Sequence, residues 1–137
     1  MANPATISAR LDALDAALNQ GNRELREAVK EYGRLGEAAA AAESVYKVAY
    51  ARAYLSFDGP EHIRAQVAML AETPEGVPLS ELRLEMKISA HLVDTQKEAL
   101  FSLREGLRRL HAQIDTQRTL AANMRSEIEL GKTGHRP

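Results

Sequence analysis

Apolar residues recur along this chain at three- and four-residue steps, the spacing that places side chains on one side of an α-helix. The first such pattern covers residues 5–20 and ends at the Gly-Asn pair of 21–22, a pair typical of helix ends. A second covers residues 22–57 and ends at the Asp-Gly-Pro sequence of 58–60, because proline cannot continue the helical hydrogen bonds. The pattern therefore predicts a short and then a long helix.

The second half of the chain predicts another short and another long helix. The short one covers residues 61–72 and is followed by a loop rich in proline and glycine at 73–78. The long one covers residues 79–131, with Ser80 as a candidate N-cap. We therefore predict one helical domain over residues 1–132, followed by a tail at 133–137.

A helix over 79–131 would be about 80 Å long, which no small core can bury. Apolar residues recur along it every seven residues, the repeat typical of a coiled-coil seam. They are Met86, Val93, Leu100, Leu107, Ile114, Ala121 and Ile128. The most economical partner is the 22–57 helix folded back against it. The predicted fold is thus all-α: a long antiparallel, coiled-coil-like helical hairpin with short accessory helices.

Six aromatic residues are present, and four of them fall between Tyr46 and Phe57. Tyr46, Tyr50 and Tyr54 share one side of the helix, while Val48 and Leu55 lie nearly opposite. A helix that is apolar on two sides is buried on two sides, and a single hairpin offers only one partner surface. We therefore expect self-association into a homo-oligomer. The alternative is that the short helices cover the second side within one chain.

The oligomer interface is expected to combine tyrosines of the first long helix with seam residues of the second. These residues are Tyr46, Tyr50, Leu100, Leu103, Leu107, Leu110, Ile114 and Met124.

The whole chain is nearly neutral, with a formal net charge of −1 over 137 residues, so any electrostatic role depends on where the charges lie. Cations beside a seam commonly pair with acids of a neighbouring helix, and this interpretation stays open. Cations next to aromatic rings also suit single-stranded nucleic acid, whose phosphates and bases they contact. The candidate nucleic-acid-binding residues are Lys47, Arg52, Tyr54, Arg83 and Lys87.

Catalytic and metal-binding motifs are missing from the sequence. It has no glycine-rich phosphate loop, no His-Glu-x-x-His pair and no cysteine. His91 and His111 are about 30 Å apart on one helix, too far to share a metal. We therefore expect a non-enzyme without cofactor or metal. No stretch is apolar enough for a membrane span or a secretory signal, so a cytoplasmic location without membrane contact is expected.

Several short stretches of the chain match the pattern of one known family. They are KVA at 47–49, ARAYL at 51–55, a glycine-containing break, EMK at 85–87, MR at 124–125, Glu127, and GK at 131–132. In these stretches the chain resembles the UvsY family of phage recombination mediators. Length, helical content and element order are also similar to that family.

The resemblance implies a ring-forming helical protein that binds single-stranded DNA in the host cytoplasm. It implies partners as well: a single-strand-binding protein that it loosens and a RecA-like recombinase that it helps to load. Lys47, Arg52 and Lys87 are the matching basic positions for DNA, and the last helix would build the oligomer. The alternative function is a coiled-coil structural or assembly protein of a phage that never touches nucleic acid.

Overall fold

The computed structural model describes residues 3–134, and side chains over residues 3–131. This part of the chain is all-α, as predicted, and forms three helices: α1 (Pro4–Ser56), α2 (Glu61–Met69) and α3 (Leu79–Gly134). Of the predicted tail, residues 133–134 continue the backbone of α3, and residues 135–137 lie outside the described residues.

Asn3 starts α1 by capping it. Its side-chain Oδ1 accepts hydrogen bonds from the Thr6 backbone N–H at 2.8 Å and from the Thr6 hydroxyl at 2.9 Å. Pro4 occupies the first helical position, where its missing N–H costs nothing. Asparagine followed by proline is therefore a strong local start signal.

The predicted break at residues 21–22 is wrong, because α1 continues through it to Ser56. A glycine inside a helix costs only about 1 kcal/mol, which packing readily outweighs. Gly21 serves close packing here: a Cβ at this position would lie 2.6 Å from Cδ2 of Leu107. Gly21 therefore leaves room for the Leu107 side chain and does not end the helix.

The predicted stop at residues 58–60 is present, since α1 ends at Ser56 and α2 begins at Glu61. α2 is shorter than the predicted 61–72. Its last turn tightens, with backbone N–H groups of Leu70 and Ala71 donating to carbonyls three residues earlier at 3.1 and 3.2 Å. Glu72 then leaves the helix and forms an antiparallel bridge with Pro78.

The loop between α2 and α3 is closed by its own hydrogen bonds. The Thr73 N–H donates to the Val77 carbonyl at 2.8 Å, and the Val77 N–H donates to the Thr73 hydroxyl at 3.1 Å. Gly76 takes the left-handed conformation (φ 83°) that this tight turn requires. The Leu79 N–H donates to the Ala71 carbonyl at 3.0 Å, so α3 starts at Leu79, and Ser80 lies inside the first turn instead of capping it.

Packing divides the chain into two compact units where the sequence predicted one domain. Unit 1 combines the chain up to Glu27 with the chain from Leu100, and unit 2 is Ala28–Ala99. Among the described residues, the buried side chains of unit 1 are Ile7, Leu100, Leu107 and Ile114, and those of unit 2 are Ala68, Leu79 and Leu82. Unit 2 also holds a polar contact between its helices: the Gln96 amide donates to the Ala28 carbonyl at 3.0 Å.

This burial corrects part of the predicted oligomer interface. Leu100, Leu107 and Ile114 are only 5%, 9% and 3% exposed within a single chain. Because they pack inside unit 1, they form its core and offer no surface to a second copy. Leu103, Leu110 and Met124 are half-buried. Three members of the seven-residue repeat are therefore core positions, whereas Ile128, another member, is 46% exposed.

Among the described residues, none of the helices has both the length and the apolar character that crossing a bilayer demands.

Candidate nucleic-acid interface

Three tyrosines of α1 form a continuous ladder in unit 2. The ring centroids of Tyr46 and Tyr50 are 6.1 Å apart with the rings tilted by 39°, and those of Tyr50 and Tyr54 are 6.1 Å apart at 29°. The ladder arises because four residues advance a helix by little more than one turn. All three rings are half-buried. They contact one another, which leaves their faces poorly placed to stack on bases.

Arg64 of α2 covers the end of this ladder. Its guanidinium carbon lies 5.4 Å from the centroid of the Tyr54 ring, a cation–π distance. Its Nε is buried and has no hydrogen-bond partner. The sequence analysis missed Arg64, because spacing within one helix says nothing about a residue on another.

Two cations of α3 lie at the other end of the ladder. Arg83 and Lys87, one helical turn apart, line a depression of about 230 Å³ together with Tyr46. Arg83 is half-buried and Lys87 is exposed. The remaining lining residues are Met69, Leu79, Ser80 and Leu84, so no carboxylate lines the depression.

These groups make up one surface of unit 2, which we call the basic–aromatic surface. It comprises Tyr46, Tyr50, Tyr54, Arg64, Arg83 and Lys87. Three of the five predicted nucleic-acid-binding residues belong to it: Tyr54, Arg83 and Lys87.

Lys47 has a partner of its own. Its Nζ lies 2.6 Å from Oε1 of Glu43 one turn earlier, and the side chains of Lys47 and Glu43 are 70% and 51% exposed. An exposed pair of this kind is weak, about 0.3–0.5 kcal/mol on a helix. Lys47 therefore reaches a phosphate only in competition with Glu43.

Arg52 lies on a different face of α1 from the tyrosines. It is two residues from both Tyr50 and Tyr54, which places it about 160° around the helix from each. There it lines an open groove of about 1010 Å³. We call this the apolar groove: its α1 wall includes Val45, Val48, Arg52 and Leu55, and its other wall includes Val67, Glu72 and Glu75.

The structure thus separates the predicted nucleic-acid residues. Arg52 shares the apolar groove with Glu72 and Glu75, a setting that favours a partner carrying charges of both signs over a phosphate chain. Because successive residues of an α-helix are rotated by about 100°, the position of Arg52 opposite the tyrosine rings follows from the sequence alone.

Tyr46 and Tyr50, predicted for the oligomer interface, contact each other in the ladder. The exposed apolar surface on this part of α1 is the opposite one, with Val45 53%, Val48 47% and Leu55 78% exposed. α2 therefore leaves this second side of α1 largely open, and the predicted helix over 5–20 is part of α1 itself, contrary to the alternative considered from the sequence.

Over the described residues, no cluster of His, Asp or Glu is arranged to hold a metal ion. Comparison with known protein families, with curated proteins and with solved structures finds no match to this chain. The function is therefore inferred from the arrangement of these side chains and from the resemblance of the short stretches.

Proposed function

We propose that the protein binds single-stranded DNA through the basic–aromatic surface and acts, without catalysis of its own, as a recombination mediator. The observation that supports this most directly is the gathering of Arg64, Arg83 and Lys87 from two helices around the tyrosine ladder. No acidic side chain lines the Tyr46 end of it. Clustered cations beside aromatic rings suit a negatively charged, unpaired strand.

In this proposal the cations contact the phosphates and the tyrosines shape the surface. Arg83 and Lys87 stand one turn apart, so each can bind its own phosphate of an extended strand. The tyrosine rings are engaged with each other, so base stacking contributes little. Binding is then independent of sequence and strongly weakened by salt.

The subunit we propose is an antiparallel helical hairpin that assembles into a homo-oligomeric ring. Contacts inside unit 2 support the hairpin: Gln96 of α3 bonds to Ala28, whereas Arg83, earlier in α3, lies beside Tyr46, later in α1. A ring presents several weak sites to one strand, which raises the overall affinity. The partners, a RecA-like recombinase and a single-strand-binding protein in a host cytoplasm, follow from the UvsY-like stretches alone.

Fluorescence anisotropy with a labelled single-stranded oligonucleotide tests the DNA-binding step. The Arg83→Ala, Lys87→Ala double variant should bind at least tenfold more weakly at low salt, and the slope of log affinity against log salt should flatten by about 2. The matched control is the Arg23→Ala, Arg26→Ala double variant, which removes the same charge from exposed positions of unit 1.

Equal loss in both double variants would show that net charge alone governs binding. Unchanged affinity in the Arg83, Lys87 variant would reject the proposed site.

The second candidate, an assembly protein that does not bind nucleic acid, is favoured by one observation. The apolar groove exposes Val45, Val48 and Leu55, a surface suited to a protein partner. A gel-shift with single-stranded oligonucleotides, run beside a native mass measurement, separates the two candidates. Assembly without any shift would favour the second one.

A further inference from the structure

A second exposed apolar surface lies on α3 of unit 2. Leu84, Ile88 and Leu92 are 58%, 51% and 45% exposed and follow each other at four-residue steps. Side chains at this spacing form one ridge along a helix. We call this ridge the α3 stripe. It is distinct from the core side of α3, where Leu82 is buried.

The α3 stripe is flanked by opposite charges. Glu85 follows Leu84 by one residue and so lies about 100° to one side of it. Lys87 precedes Ile88 by one residue and so lies about 100° to the other side. The ridge therefore has an acidic flank and a basic flank, and both side chains are exposed.

The apolar groove carries the complementary arrangement. Its α1 wall holds the cation Arg52, and its other wall holds the acids Glu72 and Glu75. Neither Arg52 nor Glu85 forms an ion pair in the part of the chain that the structure describes. A ridge laid in this groove in one orientation brings Glu85 to Arg52, whereas the reverse orientation would bring Glu85 against Glu72 and Glu75, which repel it.

We propose that the apolar groove of one copy receives the α3 stripe of a second copy. This inference rests on the homo-oligomer of the proposed function and names the surfaces that build it. Both surfaces are apolar and flanked by charges of complementary order, which fixes one orientation and disfavours the reverse. Because the two surfaces are different patches of one subunit, the contact is heterologous and continues from copy to copy.

Two grooves facing each other would fit poorly. Both are concave along the same residues, so a two-fold pairing would leave the space of about 1010 Å³ in each copy largely unfilled. A ridge of three aliphatic side chains supplies the convex partner that the groove lacks.

Mixing two variants tests this pairing directly. Val48→Glu blocks the groove and Ile88→Glu blocks the α3 stripe; both positions are about half exposed, so folding should survive, as circular dichroism will verify. Sedimentation velocity should show each variant alone as a monomer. An equimolar mixture should form a one-to-one dimer and nothing larger, since only one intact groove and one intact stripe remain to meet.

A charge exchange provides a second test at two exposed positions, Arg52 and Glu85. Arg52→Glu alone and Glu85→Arg alone should each weaken assembly at least tenfold, and the double variant should restore it. The proposed pairing would be overturned if Val48→Glu and Ile88→Glu each kept the mass of the wild-type assembly, or if their mixture formed no dimer.

DNA binding is measured separately with an oligonucleotide short enough to occupy one subunit. The Val48→Glu variant should bind it as the wild-type chain does, because Val48 lies about 160° around α1 from Tyr46 and outside the basic–aromatic surface. A chain that assembles as proposed yet binds no oligonucleotide would reject the DNA proposal alone. A monomeric chain that binds it would reject the pairing alone.

Discussion

Gly21 of α1 lies so close to Leu107 of α3 that a Cβ on the glycine would come within 2.6 Å of the leucine Cδ2 and 3.5 Å of its Cγ. Gly33, in the same helix, has nothing within 4 Å of its Cβ position. Replacing a mid-helix glycine by alanine normally stabilises by about 1 kcal/mol. We expect Gly33→Ala to raise the free energy of unfolding by this amount. Gly21→Ala should not raise it, because overpacking against Leu107 costs about 1–3 kcal/mol.

Urea unfolding of the two variants measures this difference. Shortening the leucine in a Gly21→Ala, Leu107→Val double variant should recover part of the loss, because it removes the atoms that clash. Equal stabilisation by both alanine variants would mean that Gly21 is not a packing position.

Core burial in unit 1 predicts a second contrast along α3. Ile114 is 3% exposed, so Ile114→Ala should lower the free energy of unfolding by about 2–5 kcal/mol. Phe101 is 66% exposed, and Phe101→Ala should change it by no more than about 0.5 kcal/mol. Chemical denaturation tests the pair, and a larger loss at Phe101 would contradict the assignment of the unit 1 core.

Two glutamines of α3 should respond differently to replacement by leucine. The Oε1 atom of Gln117 is buried without a hydrogen-bond partner, and relieving such a group is worth about 1–3 kcal/mol. Gln96 instead donates to the Ala28 carbonyl at 3.0 Å, so its replacement removes a bond worth about 1 kcal/mol. Gln117→Leu should therefore raise the midpoint of denaturant unfolding. Gln96→Leu should have a lower midpoint than Gln117→Leu. A higher midpoint for Gln96→Leu than for Gln117→Leu would show that the hydrogen bond from Gln96 to Ala28 contributes nothing to stability.

Arg34 lowers the pKa of Glu31 below its ordinary value. The main cause is the two-pronged hydrogen bond that the guanidinium donates to the carboxylate, one arm of it 2.8 Å long, and the charge of Arg34 adds to it. A carboxyl group with a depressed folded-state pKa stabilises the fold above its unfolded pKa, and this contribution disappears as the pH falls through the folded value. The pair thus contributes fully above the ordinary pKa of a glutamate, and its contribution is gone below the lowered pKa of Glu31 in the folded protein.

Carbon-detected NMR titration of Glu31 measures this effect. In Arg34→Gln its pKa should return to the ordinary range. Arg34→Lys keeps the charge but loses the fork, and since hydrogen bonding is the larger cause, the pKa should rise most of the way there as well. If the pKa of Glu31 in Arg34→Lys stayed at its wild-type value, the charge at position 34 alone would account for the lowering.

Helix content and the start of α3 were predictable because their signals are local. The loop around Gly76 and the start at Leu79 follow from proline and glycine at 73–78. The continuity of α1 was not predictable from Gly21, since the small local cost of a glycine is outweighed by a contact with a residue far along the chain.

The candidate site divides in the same way. The tyrosine ladder follows from spacing within one helix, but the position of Arg64 over Tyr54 depends on how α2 packs, which no local pattern contains. The seven-residue repeat located buried positions such as Leu107 correctly, yet a repeat does not say whether the partner is the same chain or another.

The hydrogen-bonded turn at Thr73–Val77 has a kinetic consequence for whatever enters the groove beside it. Because hydrogen bonds between Thr73 and Val77 already hold the segment around Glu72 and Glu75, this wall of the groove is preformed before a partner binds. Little chain entropy remains to be lost on encounter. Capture should therefore be fast and rigid-body in character, and substitutions here should act mainly by shortening the lifetime of the complex.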